Sequence, residues 1–490
     1  MNQKDNNTNL NKWKAPFKVD FSLRPLINFW KKLESGGQLI DDEYAAKVNE
    51  ALKKAPELLN PIEDMSVIEK HRPLVNSLMG VVISPASYEY DYYAAIHPDN
   101  GECFYETPAF KKLNLFTDKK TLPALLVDTN TMHACTVIGS YTAILSMFYN
   151  IHINYEFPLI YPFRDEKTGL DRHFRIRMLS WFMDAKKIGS VKPISEEDKK
   201  ILFENLTNLN LLKEFVPSDK FEFTGFMLFN AVDITDQQII SSMKYDLMEK
   251  DSISHENKVN TLQQKFRSLL RKPDLRLGIA ALDEQDKNRL ELGCKTGKSF
   301  VLNDTSSDKF SSFEGSLYER LLANREIIIV NDLAEYSDST SIEKHILNQG
   351  IRNLLLAPLK LNEEVVGILE LGSPNPGDLN KVNTLKMNEI LPMFAMCVKS
   401  TLEDMNKSIQ AIIKEKCTAI HPSVEWRFRN AASDYLRKGK DDAHDEMEEI
   451  VFDNVYPLYG LSDIRDSSRY RNAAIQADLI DNLNMAKDVI

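Results

Sequence analysis

The chain has 490 residues, 43% hydrophobic and 27% charged, and a formal net charge of −11. At roughly 100–200 residues per domain this length holds two to four domains, each large enough to bury a core without disulfide or metal staples. The acidic balance argues against non-specific binding to nucleic acid or to an anionic membrane. The five cysteines, Cys103, Cys135, Cys294, Cys397 and Cys417, are scattered and include no CxxC. They read as reduced thiols rather than a disulfide framework or a zinc site.

Residues 1–17 are polar and Asn-rich, contain no apolar leader segment, and are expected to be disordered. Residues 18–75 read as N-terminal helices. Leu26, Phe29 and Trp30 stand at i, i+3, i+4, followed by Tyr44, Val48, Leu52 and Leu58, with Pro25 and Pro56 as punctuation. The character changes near Leu78, where LMGVVISPA is a β-branched run closed by proline, and a separate domain is expected over 76–235. It contains strands around the polar turn Asp165–Asp171, with alternation at Phe174, Ile176 and Met178. A helix opens at Ser195 among acidic residues, and the strand Phe221–Val232 runs straight into Asp233-Ile234-Thr235. The most apolar stretch, Thr136–Tyr149, is shorter than the ~20 residues a bilayer requires. The expectation is a cytoplasmic protein without a membrane span.

Residues 236–273 read as a linker helix broken near Asp251–His255 and ended by Pro273, with Ile240, Met243 and Leu247, then Val259, Leu262, Phe266 and Leu269, at helical spacing. A hairpin is expected over 275–292, a short helix over 315–323, a buried strand over 326–330, and a helix over 341–349 closed by Gly350. Two strands follow, Asn353–Lys360 and Val365–Leu371, joined by a turn at 361–364. A long helix starts after Pro376. Its residues Val398, Leu402, Met405, Ile409 and Ile412 are spaced 4, 3, 4, 3, the a/d pattern of a coiled coil. Either this seam pairs two copies of the chain, or one helix packs on its own domain. The rest, past Pro422, reads as charged and helical.

The order glycine, helix, buried strand, Asn331-Asp332-Leu333, helix, Gly350-Ile351-Arg352-Asn353, Ala357-Pro358-Leu359, turn, Gly367-Ile368-Leu369-Glu370-Leu371, opened by Gly315, resembles a GAF domain over 274–402. The physical sense is that Gly350 lets the chain leave a helix, Pro358 tolerates only an edge or bulged position, and Gly367 lets a strand pass close to a neighbour. The resemblance implies an antiparallel sheet with helices on one side and a ligand cavity on the other. The strand 226–232, the Asp233-Ile234-Thr235 tripeptide and the turn at 165–174 resemble a PAS domain, although 78–235 is longer than a typical one. The tail from Pro422 to Ile490 is similar to that of GAF-containing proteins of Bacteroidetes-type bacteria. The fold class expected is therefore α+β: PAS-like and GAF antiparallel sheets with flanking helices, joined by linker helices, plus a signalling helix and C-terminal helical segment over 403–490.

No catalytic signature is present: GxxxxGKS/T, GxGxxG, HExxH and GxSxG are all missing. The carboxylates Glu196-Glu197, Asp441-Asp442 and Glu446/Glu448/Glu449 read as solvated helix faces. His97 with Cys103, and His173 beside Arg172, read as packed or surface side chains rather than metal ligands. His421, in His-Pro just past the seam, is placed where a sensor kinase carries its phosphoacceptor, and it also reads as an ordinary helix start with Pro422 in the first turn. The chromophore-cysteine, flavin and cyclic-nucleotide signatures of GAF and PAS families are absent, so no cofactor, metal or ligand is assigned. The function expected is a non-catalytic sensory protein that binds a small ligand or protein partner, forms a homodimer and signals through its helix. The alternatives are a structural scaffold with filled pockets, or the sensory part of a histidine-kinase-like system whose catalytic module lies elsewhere.

Overall fold

The computed structural model describes residues 16–36, 41–115, 129–153, 159–249, 252–282, 299–301, 313–416, 424–438, 447–448, 450 and 467–489. The chain divides into two compact units, Met1–Gln238 and Ile239–Ile490. Both are mixed α+β with antiparallel sheets, as expected.

The first unit is built on a sheet ordered β3-β2-β6-β5-β4. Its strands are β2 (Tyr92–Ile96), β3 (Cys103–Glu106), β4 (Leu159–Arg164), β5 (Asp171–Lys187) and β6 (Phe221–Asp233). A four-residue strand β1 (Lys18–Phe21) runs parallel to β6 beside Glu222–Gly225, on the edge that β2 shares further along. The central strand β6 is apolar on both faces, so both must be covered. Phe226 and Leu228 meet helices α1 (Arg24–Ser35), α2 (Asp42–Lys53), α3 (Ser66–Lys70) and α4 (Arg72–Val82). Phe221 and Phe223 meet Tyr141 and Ile144 of helix α6 (Thr129–Tyr149), which follows the short α5 (Pro108–Lys111). Two further helices, α7 (Glu196–Glu204) and α8 (Leu209–Phe215), precede β6. The expected N-terminus at Ser195 is a full capping box with Asp198.

Three sequence expectations change here. The β-branched run after Leu78 is the end of helix α4, because Leu74, Val75, Leu78 and Met79 fall on one helical face and are buried. Residues 18–21, expected as helix, form β1, a pairing too short to carry a periodic signal. Phe17, assigned to a disordered terminus, is core: its ring lies 5.0 Å from Tyr141 and 5.4 Å from Phe223.

The Asp233-Ile234-Thr235 corner is held by side chains. Asp233 Oδ1 accepts the Thr235 N–H at 2.9 Å, and Asp233 Oδ2 pairs with Arg172 Nη2 at 2.8 Å. The His173 N–H donates to Thr235 Oγ1 and its carbonyl accepts the Ile234 N–H, both at 2.9 Å. These bonds close the turn between β6 and helix α9 (Thr235–Met248).

In the second unit, β7 (Arg276–Ala281), β8 (Ile328–Val330), β9 (Asn353–Leu361) and β10 (Glu364–Ser373) form a sheet ordered β7-β10-β9-β8. Helix α10 (Glu256–Leu270) and the long α14 (Leu391–Lys416) cover one face: Val259, Leu262, Phe266, Phe394, Val398 and Leu402 pack on Ile279, Leu355, Leu369 and Leu371. Helices α11 (Leu317–Asn324) and α12 (Ser341–Asn348) cover the other. The short α13 (Lys381–Met387) precedes α14, so the long helix expected after Pro376 is two helices. β7 is the first arm of the expected hairpin and pairs with β10; residues 283–298 lie outside the described residues. Gly350 has φ +82, as a helix exit requires, and a side chain at Gly367 would sit 2.6 Å from the Ala280 carbonyl oxygen. Pro358 lies beyond the last residue of β9 that β8 pairs, Leu356, where a missing N–H costs nothing.

Three of the five seam residues, Val398, Leu402 and Ile409, are buried within the chain. Val398 and Leu402 face the sheet, whereas Ile409 and Ile413 pack against Ala432 and Phe428 of α15 (Glu425–Lys438). Met405 and Ile412 of the seam stay partly exposed. The last helix, α16 (Ser467–Val489), is exposed at every residue from Arg469 to Asn484. No helix among the described residues is long and apolar enough to cross a membrane. Leu402 is 2% exposed, so Leu402→Ala is expected to cost about 2–5 kcal/mol by transfer and cavity terms. Urea titrations at several protein concentrations should give one midpoint; a midpoint that tracks concentration would assign Leu402 to a contact between copies.

Candidate functional site

Along β10 the side chains alternate between the two helical layers. Leu369 and Leu371 enter the layer of α10 and α14, whereas Ile368 and Glu370 enter that of α11 and α12. Glu370 is thus a carboxylate in a layer made of Leu317, Tyr318, Leu321, Ile346, Leu354 and Leu356. Its strand neighbours in register are Leu356 on β9 and Gly278 on β7. The residue has no exposed surface.

Three neutral donors converge on this carboxylate. Ser299 Oγ and Tyr318 OH each donate to Oε1 at 3.0 Å, and the Phe300 N–H donates to Oε2 at 2.6 Å. Among the described residues no cation pairs with it. Burial pushes the carboxyl up to about 7, against the pull of the three hydrogen bonds, which favour the ionised form. Burial likewise pushes the Tyr318 hydroxyl well above its ordinary value, and the neighbouring Glu370 charge adds to it. Tyr318 is placed by the start of α11, where Ser316 caps Glu319 and the Leu317 N–H donates to Glu343 Oε1 at 2.8 Å. Glu343 in turn closes the capping box of α12 with Thr340.

The residues that carried the sequence resemblance have other work. Asp332 caps Ala334 at 3.0 Å and takes a two-point ion pair from Arg352, whose hydrogen bonds, with its charge, hold the Asp332 carboxyl below the usual range. Asn353 Nδ2 donates to the Val330 carbonyl at 2.8 Å, and its Oδ1 accepts the Leu379 N–H. These bonds tie strand ends together, so the motif specifies the scaffold. Glu370 was read as part of that scaffold; its isolation as one carboxylate within an apolar strand was the available signal. Ser299 and Phe300 lie about seventy residues away and carried none.

The histidines considered from sequence serve as local fixtures. His97 Nδ1 accepts the Asp99 N–H at 3.1 Å, and its ring packs on Phe21; Cys103 Sγ donates to the Tyr105 carbonyl two residues on. His173 acts through its backbone at the Asp233 corner. Among the described residues no three His, Cys, Asp or Glu side chains are grouped to hold a metal. His421, Cys294, Cys417, Asp441-Asp442, Glu446 and Glu449 lie outside the described residues, as does the side chain of Cys135.

Residues 259–385 match the family model described as GAF domain. This segment is a GAF domain. Its match begins inside α10, upstream of the boundary expected at 274, and α10 supplies Val259, Leu262, Phe266 and Leu269 to the GAF core. The chain is similar to the GAF domain of an Acinetobacter phosphoenolpyruvate-protein phosphotransferase (14% identity, 36% of this chain and 99% of that one, TM-score 0.28). It is also similar to the GAF region of a putative membrane protein from Geobacter sulfurreducens PCA (19% identity, 33% and 97%, TM-score 0.23). A third is the type II free methionine-R-sulfoxide reductase of Thermoplasma acidophilum (12% identity, 31% and 96%, TM-score 0.23). No curated protein matches the chain.

The raised Glu370 carboxyl has a signed consequence. Its folded value, about 7, lies above the ordinary 4.5, so its contribution to stability is full below about pH 4.5 and is lost as pH rises through about 7. The loss is on the order of 3 kcal/mol. Glu370→Gln lacks this titration. The stability of the native chain relative to the variant is expected to fall across that window and level off above it in urea titrations; a flat difference would show that the carboxylate is not desolvated.

Proposed function

We propose that this chain is a non-catalytic sensory or regulatory protein whose GAF domain binds a small molecule over the Glu370 face. The observation that carries the reading is a fully buried carboxylate, ringed by convergent donors, in an otherwise apolar layer. A buried carboxylate without a counter-charge still costs free energy when ionised, even when hydrogen-bonded, and pockets with few placed polar groups in apolar walls are what small-molecule sites use. The opposite face of the same strands carries α14, and α14 carries α15. A ligand-dependent shift of β9 and β10 therefore reaches the C-terminal helices through packed side chains. In this reading the exposed α16 meets a protein partner, and the partly exposed seam residues Met405 and Ile412 leave α14 a surface for a second copy.

The first unit takes a PAS-like role in this reading. Support comes from its antiparallel path with the last strand central, and from the Asp233-Ile234-Thr235 corner that sends that strand into a helix. The scaffold reading is favoured by one observation: Phe300 and Val301 are buried in the layer where a ligand would lie.

Native mass spectrometry of the full chain purified from its own cells separates the two. Sensing predicts a retained small molecule that is lost in Glu370→Gln; a ligand-free chain in both would support the scaffold.

A further inference from the structure

The residues touching Glu370 describe a molecule. The Phe300 N–H donates to Oε2 at 2.6 Å, and the Phe300 ring is buried among the side chains of the same layer. Nitrogen and ring are joined by two carbons, Cα and Cβ. Ser299 Oγ adds a second bond from the same segment, and Gln349 Nε2 holds the Phe300 carbonyl at 2.6 Å. Residues 299–301 thus seat a nitrogen donor on a buried carboxylate and an aromatic ring in an apolar layer. What the segment does not supply is positive charge: among the described residues Glu370 has neutral donors only.

We propose that the GAF ligand is an aralkyl ammonium, a phenyl-sized ring two carbons from a protonated amine, and that residues 299–301 are a built-in occupant which it displaces. This rests on the sensory reading above. Exchange replaces a neutral N–H donor by a charged one at the same oxygen, and charge-assisted hydrogen bonds are roughly twice as strong. It also neutralises a buried anion, whose unpaired state is the costly one. The ring contact is conserved in kind, since one phenyl leaves the layer as another enters. Tyr318 keeps its bond to Oε1 and orients the carboxylate throughout. Neutral and anionic analogues gain nothing in the exchange, so charge is the selecting feature.

The test uses the full chain with three matched probes: 2-phenylethylammonium, 2-phenylethanol and 3-phenylpropionate. The ammonium is expected to bind at least tenfold tighter than the alcohol and to speed hydrogen exchange at the Phe300 amide, with no binding of the carboxylate probe. In Glu370→Gln, checked for native circular dichroism, the preference for the ammonium should fall below twofold. Phe300→Ala, which removes the competing ring and keeps Glu370, should bind the ammonium several-fold tighter than the native chain. Equal binding of alcohol and ammonium, a preference that survives in Glu370→Gln, or weaker binding in Phe300→Ala would each overturn the proposal. Binding of none of the three also overturns it; a small molecule retained in the native mass spectrum would then leave the sensory reading standing, and an empty spectrum would remove both.

Discussion

A strand pair buried on both faces must be covered twice, and that constraint organises the second unit. β9 and β10 are apolar on each side, so α10 and α14 close one layer while α11, α12 and residues 299–301 close the other. Each layer commits part of the chain that is distant in sequence. α14 cannot be a free signalling rod while Val398 and Leu402 are needed to close the sheet. Nor is α10 simply a connector, because Phe266 packs on Phe394 at 5.8 Å between ring centres. The same constraint makes Glu370 conspicuous, since a doubly buried strand has no wet side to which a carboxylate can turn.

Most regular elements were legible in the sequence because their signals are local. The strands at 353–361 and 364–373, the helix closed by Gly350, and the capping box at Ser195 each depend on neighbours a few positions away. The failures share one cause. β1 exists only because β6 offers it an edge two hundred residues later. The run after Leu78 has strand-forming residues, but its burial partners on α1 and α2 lie on a helical face.

The candidate site was legible only in part. Glu370 stood in plain view within an apolar strand, yet its meaning depends on Ser299, Phe300 and Tyr318, which no spacing rule joins to it. Of the residues that made the family recognisable, Asp332 and Asn353 bind the backbone of their own domain and Arg352 pairs with Asp332. Only Glu370 among the residues that carry the resemblance belongs to the candidate site, as expected where one scaffold serves many ligands.

The Asp332–Arg352 pair has an outcome for genetics. Asp332 is buried and Arg352 half-exposed, and together they fasten the turn after β8 to the start of β9. A screen for lost function would recover substitutions at this pair early, along with those at Asn353, because they loosen the frame that aligns the sheet. Such alleles would be suppressed by stabilising changes anywhere in the domain. Alleles at Glu370 would not, under the proposed function, and that difference in suppressibility sorts the residues that hold the domain together from those at its candidate site.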